Sequence, residues 1–198
     1  MLSARMKPAV VRIITPLCRG LLKIGITPDL MTIFGTLIVV IGSFTLLANG
    51  KIAESLIIIG LALLTDLFDG TMARLSDRGP SNWGNFLDST LDRISDAAVL
   101  IGLSLYLHNE GDSLFVATII TIATSSIVPY ARAKAESLGI ECKGGFAERP
   151  ERLLILCIAG ILHLAGFSWA IDVGVWILLL TSLLTIYQRM AIVWKATR

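Results

Sequence analysis

The chain has 198 residues, of which 55% are hydrophobic and 16% charged, and its formal net charge is +2. The length suits one domain, but a soluble domain carries about 25% charged residues, so this composition excludes that class and points to a membrane protein.

In the N-terminal segment 1–27, Arg5, Arg12, Arg19 and Lys23 recur at spacings that stack them on one helical face, while Val10, Ile13, Ile14, Leu17 and Leu21 favour another. This predicts an amphipathic helix lying in the membrane interface, with Pro8 and Pro16 limiting its regularity. The segment lacks the uninterrupted apolar core of a signal peptide.

A hydrocarbon layer needs about 20 mostly apolar residues per helical span. Runs over 30–48, 52–67, 114–131, 153–170 and 173–193 come near that length. The run 97–107 is too short to cross alone, so its helix must begin nearer Gly84 and take in Asp88, Asp92, Arg93 and Asp96. The expected fold is all-α: one membrane domain over 1–198, with the interfacial segment 1–27 followed by six transmembrane helices in 28–198. Six spans place both termini on one side. With that side cytoplasmic, every one of the 17 Lys and Arg residues except Lys51 falls there, as the positive-inside rule asks. A multi-pass protein of the cell (plasma) membrane is expected, with its longer polar connections, 75–83 and 132–152, in the cytoplasm. The outward connections are too short to hold a further domain. Cys18, Cys142 and Cys157 have no metal or redox spacing and receive no role.

The second span ends in "DLFDGTMAR". An Asp near a helix centre costs roughly 2.5 to 3.5 kcal/mol on insertion scales, so repeated acids there need a compensating use. Asp66 and Asp69 share a face at the end of the second span; Asp88 and Asp92 share one at the start of the third, with Asp96 one turn deeper. Both pairs lie at one depth on the cytoplasmic side. Four converging carboxylates make a site for a hard cation, Mg²⁺, Mn²⁺ or Ca²⁺ rather than zinc or copper. Two divalent ions on shared carboxylates are a common arrangement for phosphoryl chemistry. Gly70 and Ala73 keep the neighbouring face open, Arg74 offers a forked donor for phosphate, and Gly84 lies one turn before Asp88. Asp96 has a plainer alternative, an ion pair with Arg93 made for packing.

The pattern D-x2-D-G-x2-A-R followed by G-x3-D-x3-D resembles the signature of the CDP-alcohol phosphotransferase family, membrane enzymes with six transmembrane helices. Nine residues separate Arg74 from Gly84, a loop slightly longer than the family's usual one. The resemblance implies transfer of a phosphatidyl group from CDP-diacylglycerol to an alcohol, with CMP leaving. It implies Asp66, Asp69, Asp88 and Asp92 as ligands of Mg²⁺ or Mn²⁺, two ions in all, and Asp92 as the general base. Asp66, Asp69, Gly70, Ala73, Arg74 and Gly84 would bind CDP-diacylglycerol, joined by Thr32. "TPDLMT" resembles the family's TPN-x2-T with Asp29 in place of Asn, which puts Asp29 near the acceptor. A homodimer in the bilayer is implied as well, with no nucleic-acid partner.

A second cluster bears on the acceptor. Arg132 and Lys134 end the fourth span, Arg149 and Arg152 open the fifth, and Arg189 closes the sixth. Converging guanidiniums suit a phosphorylated alcohol. "LDRISDAAV", "RAKAE" and "GGFAERPERL" resemble the actinobacterial members that make phosphatidylinositol phosphate. That likeness implies inositol 1-phosphate as acceptor, its phosphate held by Arg132, Lys134, Arg149 and Arg189, with Arg152 a weaker candidate. Glycerol 3-phosphate, the acceptor of phosphatidylglycerol phosphate synthases, would want arginines too. A cation transporter or channel is a more remote alternative; it asks for acids near mid-membrane, whereas these lie toward one interface beside Gly and Arg.

Overall fold

The structure, a computed structural model, describes residues 2–76, 79, 81–142, 145 and 149–198, without the side chains of 2–12, 62–64, 66 and 67. Among the described residues the regular elements are helical: α1 (Leu2–Lys23), α2 (Pro28–Thr45), α3 (Ile52–Leu75), α4 (Asn82–Asn109), α5 (Leu114–Ser137), α6 (Arg149–Leu164) and α7 (Ala170–Ala196), with a 3₁₀ turn at Leu47–Asn49. No strand occurs among them.

Local chemistry explains several boundaries. Helix α1 runs through Pro8 and Pro16, each of which removes one backbone donor while keeping a helical φ. It ends where Gly25 turns left-handed at φ +86° and Ile26 N–H reaches back to Leu21 O at 3.1 Å, a Schellman closure that a side chain at Gly25 would strain. Helix α2 starts on Thr27, whose Oγ1 accepts the Leu30 N–H at 3.3 Å. Pro28 occupies the first helical position and Asp29 the first turn, where a carboxylate meets the positive end of the helix dipole. "TPD" is thus a helix-start signal as well as part of a family motif. Ser81 caps α4 in the same way, accepting the Gly84 N–H at 2.9 Å.

Among the described residues, three helical segments are long and apolar enough to cross a membrane: Pro28–Asn49, Leu114–Ser137 and Ala170–Ala196. Their burial is inverted relative to a soluble protein. On α2, Leu30, Phe34, Leu37, Ile41 and Phe44 are exposed while Thr32, Thr36 and Ser43 are buried. On α7, Leu180, Leu183, Leu184 and Tyr187 are exposed while Ser182, Thr185 and Arg189 are buried. Apolar stripes outside and hydroxyls inside fit a lipid surround, where polar groups must find partners within the protein. The chain is a membrane protein. Helix α4, at 28 residues, extends the short run 97–107 back past Asp88, as expected, and begins at Asn82. Helix α6 begins at Arg149 and stops at Leu164, earlier at both ends than the apolar run suggests.

The chain divides into two compact units, Met1–Ile41 with Ile58–Ser95, and Gly42–Ile57 with Asp96–Arg198. In the first, Gly35 of α2 packs so tightly on α3 that a Cβ there would lie 2.5 Å from Thr65 Oγ1. Its core includes Cys18, Val39, Met72 and Thr71. In the second, α7 packs against both α5 and α6. A buried polar seam runs along α5 and α7, where Ser125 and Ser182 meet at 3.4 Å, and Thr118 and Thr121 bond back to their own helix carbonyls. Small residues again set the approach: a Cβ on Gly102 would lie 2.5 Å from the Ser43 carbonyl oxygen.

Candidate active site

In the first unit, helix α3 continues to Leu75, so Asp66, Asp69, Gly70, Ala73 and Arg74 all sit on one helix. Asp69 is buried, at 8% exposure, and Thr32 Oγ1 donates to its Oδ2 at 2.8 Å. The same hydroxyl lies 3.1 Å from Pro28 O, so the first turn of α2 holds the donor that meets the Asp69 carboxylate. The Asp66 carboxylate lies outside the described residues.

Among the described residues, the atom nearest a Cβ built on Gly70 would be Arg74 Nη1, at 3.7 Å, so the guanidinium lies beside the glycine. Arg74 Nη2 also donates to Thr71 Oγ1 at 3.2 Å, which steers the fork. On α4, Asp88 and Asp92 are half-buried and one turn apart. Gly84 stands beside Asp29, whose Oδ1 would lie 3.3 Å from a Cβ on that glycine. Expected from sequence to lie near the acceptor, Asp29 is therefore placed against the glycine of the α4 motif.

Among the described residues, no three His, Cys, Asp or Glu side chains gather as a metal cage, with Asp66 outside that comparison. The donor chemistry nevertheless fits a hard divalent cation. Asp69 is held by a hydroxyl, which orients a carboxylate without adding a charge, and glycine flanks each acidic pair at 70 and 84.

In the second unit the structure corrects one pairing. Asp96 does not pair with Arg93, which donates instead to the Ser89 carbonyl. Asp96 takes two guanidiniums from the first turn of α6: Arg149 Nε donates to Oδ1 at 3.4 Å and Arg152 Nη2 to Oδ2. Arg132 pairs with Glu136 on its own helix at 2.8 Å, a largely exposed contact. Arg189 is buried at 3% exposure and donates through Nη1 to the Val128 carbonyl. Lys134 is exposed at the end of α5.

Cys18, which the sequence offered no use for, is fully buried against α3, its thiol 3.9 Å from the Phe68 carbonyl, one residue before Asp69. Burial pushes this thiol above its ordinary range, partly offset by a backbone hydrogen bond. Cys18 is the one cysteine of α1, and its local sequence pattern carries no signal of this contact.

The family model for CDP-alcohol phosphatidyltransferase matches residues 25–187. The chain belongs to this family. A phosphatidylinositol phosphate synthase of Mycobacterium tuberculosis is 42% identical over 195 residues, covering 96% of this chain and 89% of its own. The crystal structure of the M. tuberculosis phosphatidylinositol phosphate synthase with CDP-DAG bound superposes with a TM-score of 0.87 at 41% identity, over 92% of this chain and 94% of that one. The same enzyme in complex with manganese and citrate gives 0.84 at 40% identity, over 91% and 88%. As a CDP-alcohol phosphatidyltransferase, this chain is an enzyme of phospholipid biosynthesis.

Proposed function

We propose that this enzyme transfers the phosphatidyl group of CDP-diacylglycerol to inositol 1-phosphate and releases CMP. The observation that carries the acceptor choice is the likeness to phosphatidylinositol phosphate synthases over nearly the whole length of both chains. The arginines alone would serve any phosphorylated alcohol.

Asp66, Asp69, Asp88 and Asp92 hold two divalent ions, Mg²⁺ or Mn²⁺. When bound, such ions offset charge on the diphosphate and on the departing CMP. Thr32 keeps the Asp69 carboxylate aimed, and Gly70, Ala73, Arg74 and Gly84 line the nucleotide pocket. Asp92 takes the proton from the acceptor hydroxyl as that oxygen bonds to the β-phosphorus, and the bond from β-phosphorus to the CMP oxygen breaks. A carboxylate that accepts a proton in this way contributes about 10²- to 10⁴-fold to the rate. Arg132, Lys134, Arg149 and Arg189 bind the acceptor phosphate, with Arg152 behind them.

The enzyme works as one membrane domain over residues 1–198, with six transmembrane helices behind an interfacial α1. Both termini and the active site face the cytoplasm from the plasma membrane, and the working form is a homodimer. Supplying purified protein with CDP-diacylglycerol and either inositol 1-phosphate or glycerol 3-phosphate, and following CMP release, tests the assignment. Turnover is expected with inositol 1-phosphate under Mg²⁺ or Mn²⁺. Turnover with glycerol 3-phosphate alone would replace the acceptor.

A further inference from the structure

Asp88, Asp92 and Asp96 fall at successive helical turns of α4, so spacing alone would place Asp96 with the acids before it. Its ion-pair partners, however, come from α6. Arg149 and Arg152, three apart on α6, present one face of that helix, and the Asp96 carboxylate divides its oxygens between them. All three side chains are largely withdrawn from solvent, at 13% exposure for Asp96, 18% for Arg149 and 10% for Arg152. Contacts so enclosed are screened much less by salt than surface ion pairs.

We infer that Asp96 is a positioning residue for acceptor binding: its Oδ1 sets the orientation of Arg149, while Arg152 pins the other oxygen so that the carboxylate cannot turn. This rests on the assignment of Arg149 to the acceptor phosphate. The contact reaches Arg149 at Nε, the nitrogen where the guanidinium joins its stem. Holding that atom defines the plane of the fork, and a planar fork recognises phosphate well only when that plane is set beforehand. An arginine ordered before the acceptor arrives also loses less freedom on binding. Arg152, the more buried of the two, is then a support of the pocket rather than a ligand of the phosphate.

A kinetic double-mutant cycle on the full chain, with CDP-diacylglycerol and inositol 1-phosphate, tests this. Asp96→Asn should raise the KM for inositol 1-phosphate about tenfold, the loss of one charged hydrogen bond. It should leave the KM for CDP-diacylglycerol within about twofold. Arg149→Ala should also raise the acceptor KM, and adding Asp96→Asn to it should change that value by no more than about twofold, because the two act through one group. Asp96→Glu, which keeps the charge, should recover most of the loss. Multiplying effects in the double variant, or an unchanged acceptor KM in Asp96→Asn, would overturn the role of Asp96 while leaving the acceptor site standing. An unchanged acceptor KM in Arg149→Ala would instead remove Arg149 from that site, and the role of Asp96 with it. Should Asp96→Asn fail to fold, Asp96→Asn/Arg152→Met removes the buried carboxylate with its supporting arginine, a milder change than orphaning one charge. It should show the same rise in acceptor KM, and a normal value there would overturn the inference.

Discussion

In the unit built from Met1–Ile41 and Ile58–Ser95, the buried Asp69 is met by the Thr32 hydroxyl at 2.8 Å. In the unit built from Gly42–Ile57 and Asp96–Arg198, Asp96 is met by the guanidiniums of Arg149 and Arg152. A hydroxyl supplies a directed hydrogen bond and no charge, so this contact orients the carboxylate without neutralising it. Two guanidiniums spend the carboxylate on holding themselves in place. The same residue type therefore meets a hydroxyl in one unit and guanidiniums in the other; on the proposed function, the acidic motif would serve the chemistry shared by the family and the arginines the choice of alcohol.

The sharpest way to break this comparison is at Asp92. On the proposed mechanism, Asp92→Asn should lower kcat roughly 10²- to 10⁴-fold, with CDP-diacylglycerol binding largely kept in a filter-binding or calorimetric measurement. Near-normal turnover in that variant would remove Asp92 as the base. The next largest effect should come from the second unit. Arg189→Ala, losing charged hydrogen bonds, should raise the acceptor KM roughly tenfold to a hundredfold, and far more than the KM for CDP-diacylglycerol. Equal rises in both constants would argue against an acceptor pocket at that residue. Thr32→Val keeps the shape of the side chain but removes the donor to Asp69. It should weaken the metal dependence of turnover by roughly tenfold, as loss of a partner behind a metal ligand commonly does; an unchanged Mg²⁺ or Mn²⁺ titration would separate Thr32 from the metal site.

The smallest effect concerns Cys18, whose folded thiol sits above its ordinary range because it is buried. A raised thiol holds its proton more tightly when folded than when unfolded. Its contribution to stability is therefore fully present at neutral pH and is lost as pH climbs through and beyond the ordinary thiol range. Maleimide labelling of Cys18 should accordingly be negligible near neutrality and grow only in alkaline buffer. Rapid labelling at neutral pH would place α1 away from Phe68 and weaken its link to the acidic motif.

Much of the molecule was legible before any packing was considered. Hydropathy and helical period marked the helices, because apolar length and a 3.6-residue repeat are local properties. The same period put Asp66 with Asp69 and Asp88 with Asp92, and the residue types around them carried the family signature that the comparisons bear out. The start of α2 was legible too, in Thr27, Pro28 and Asp29. Helix ends were read less well where polar residues continue a helix past its apolar run, as at Leu75 and Arg149.

What local spacing could not decide was which helix face meets which. The bond from Thr32 to Asp69 joins residues 37 apart, the close approach of Gly35 to Thr65 depends on two helices meeting at a glycine, and Cys18 finds Phe68 across 50 residues. Asp96 is the clearest case. By sequence it continues the register of Asp88 and Asp92, with Arg93 as its nearest cation, yet it lies with Arg149 and Arg152 more than fifty residues away. Sequence determined the supply of charges and their helical register; the tertiary structure decided their partners, because a buried charge pairs with whatever the packing of helices brings within reach.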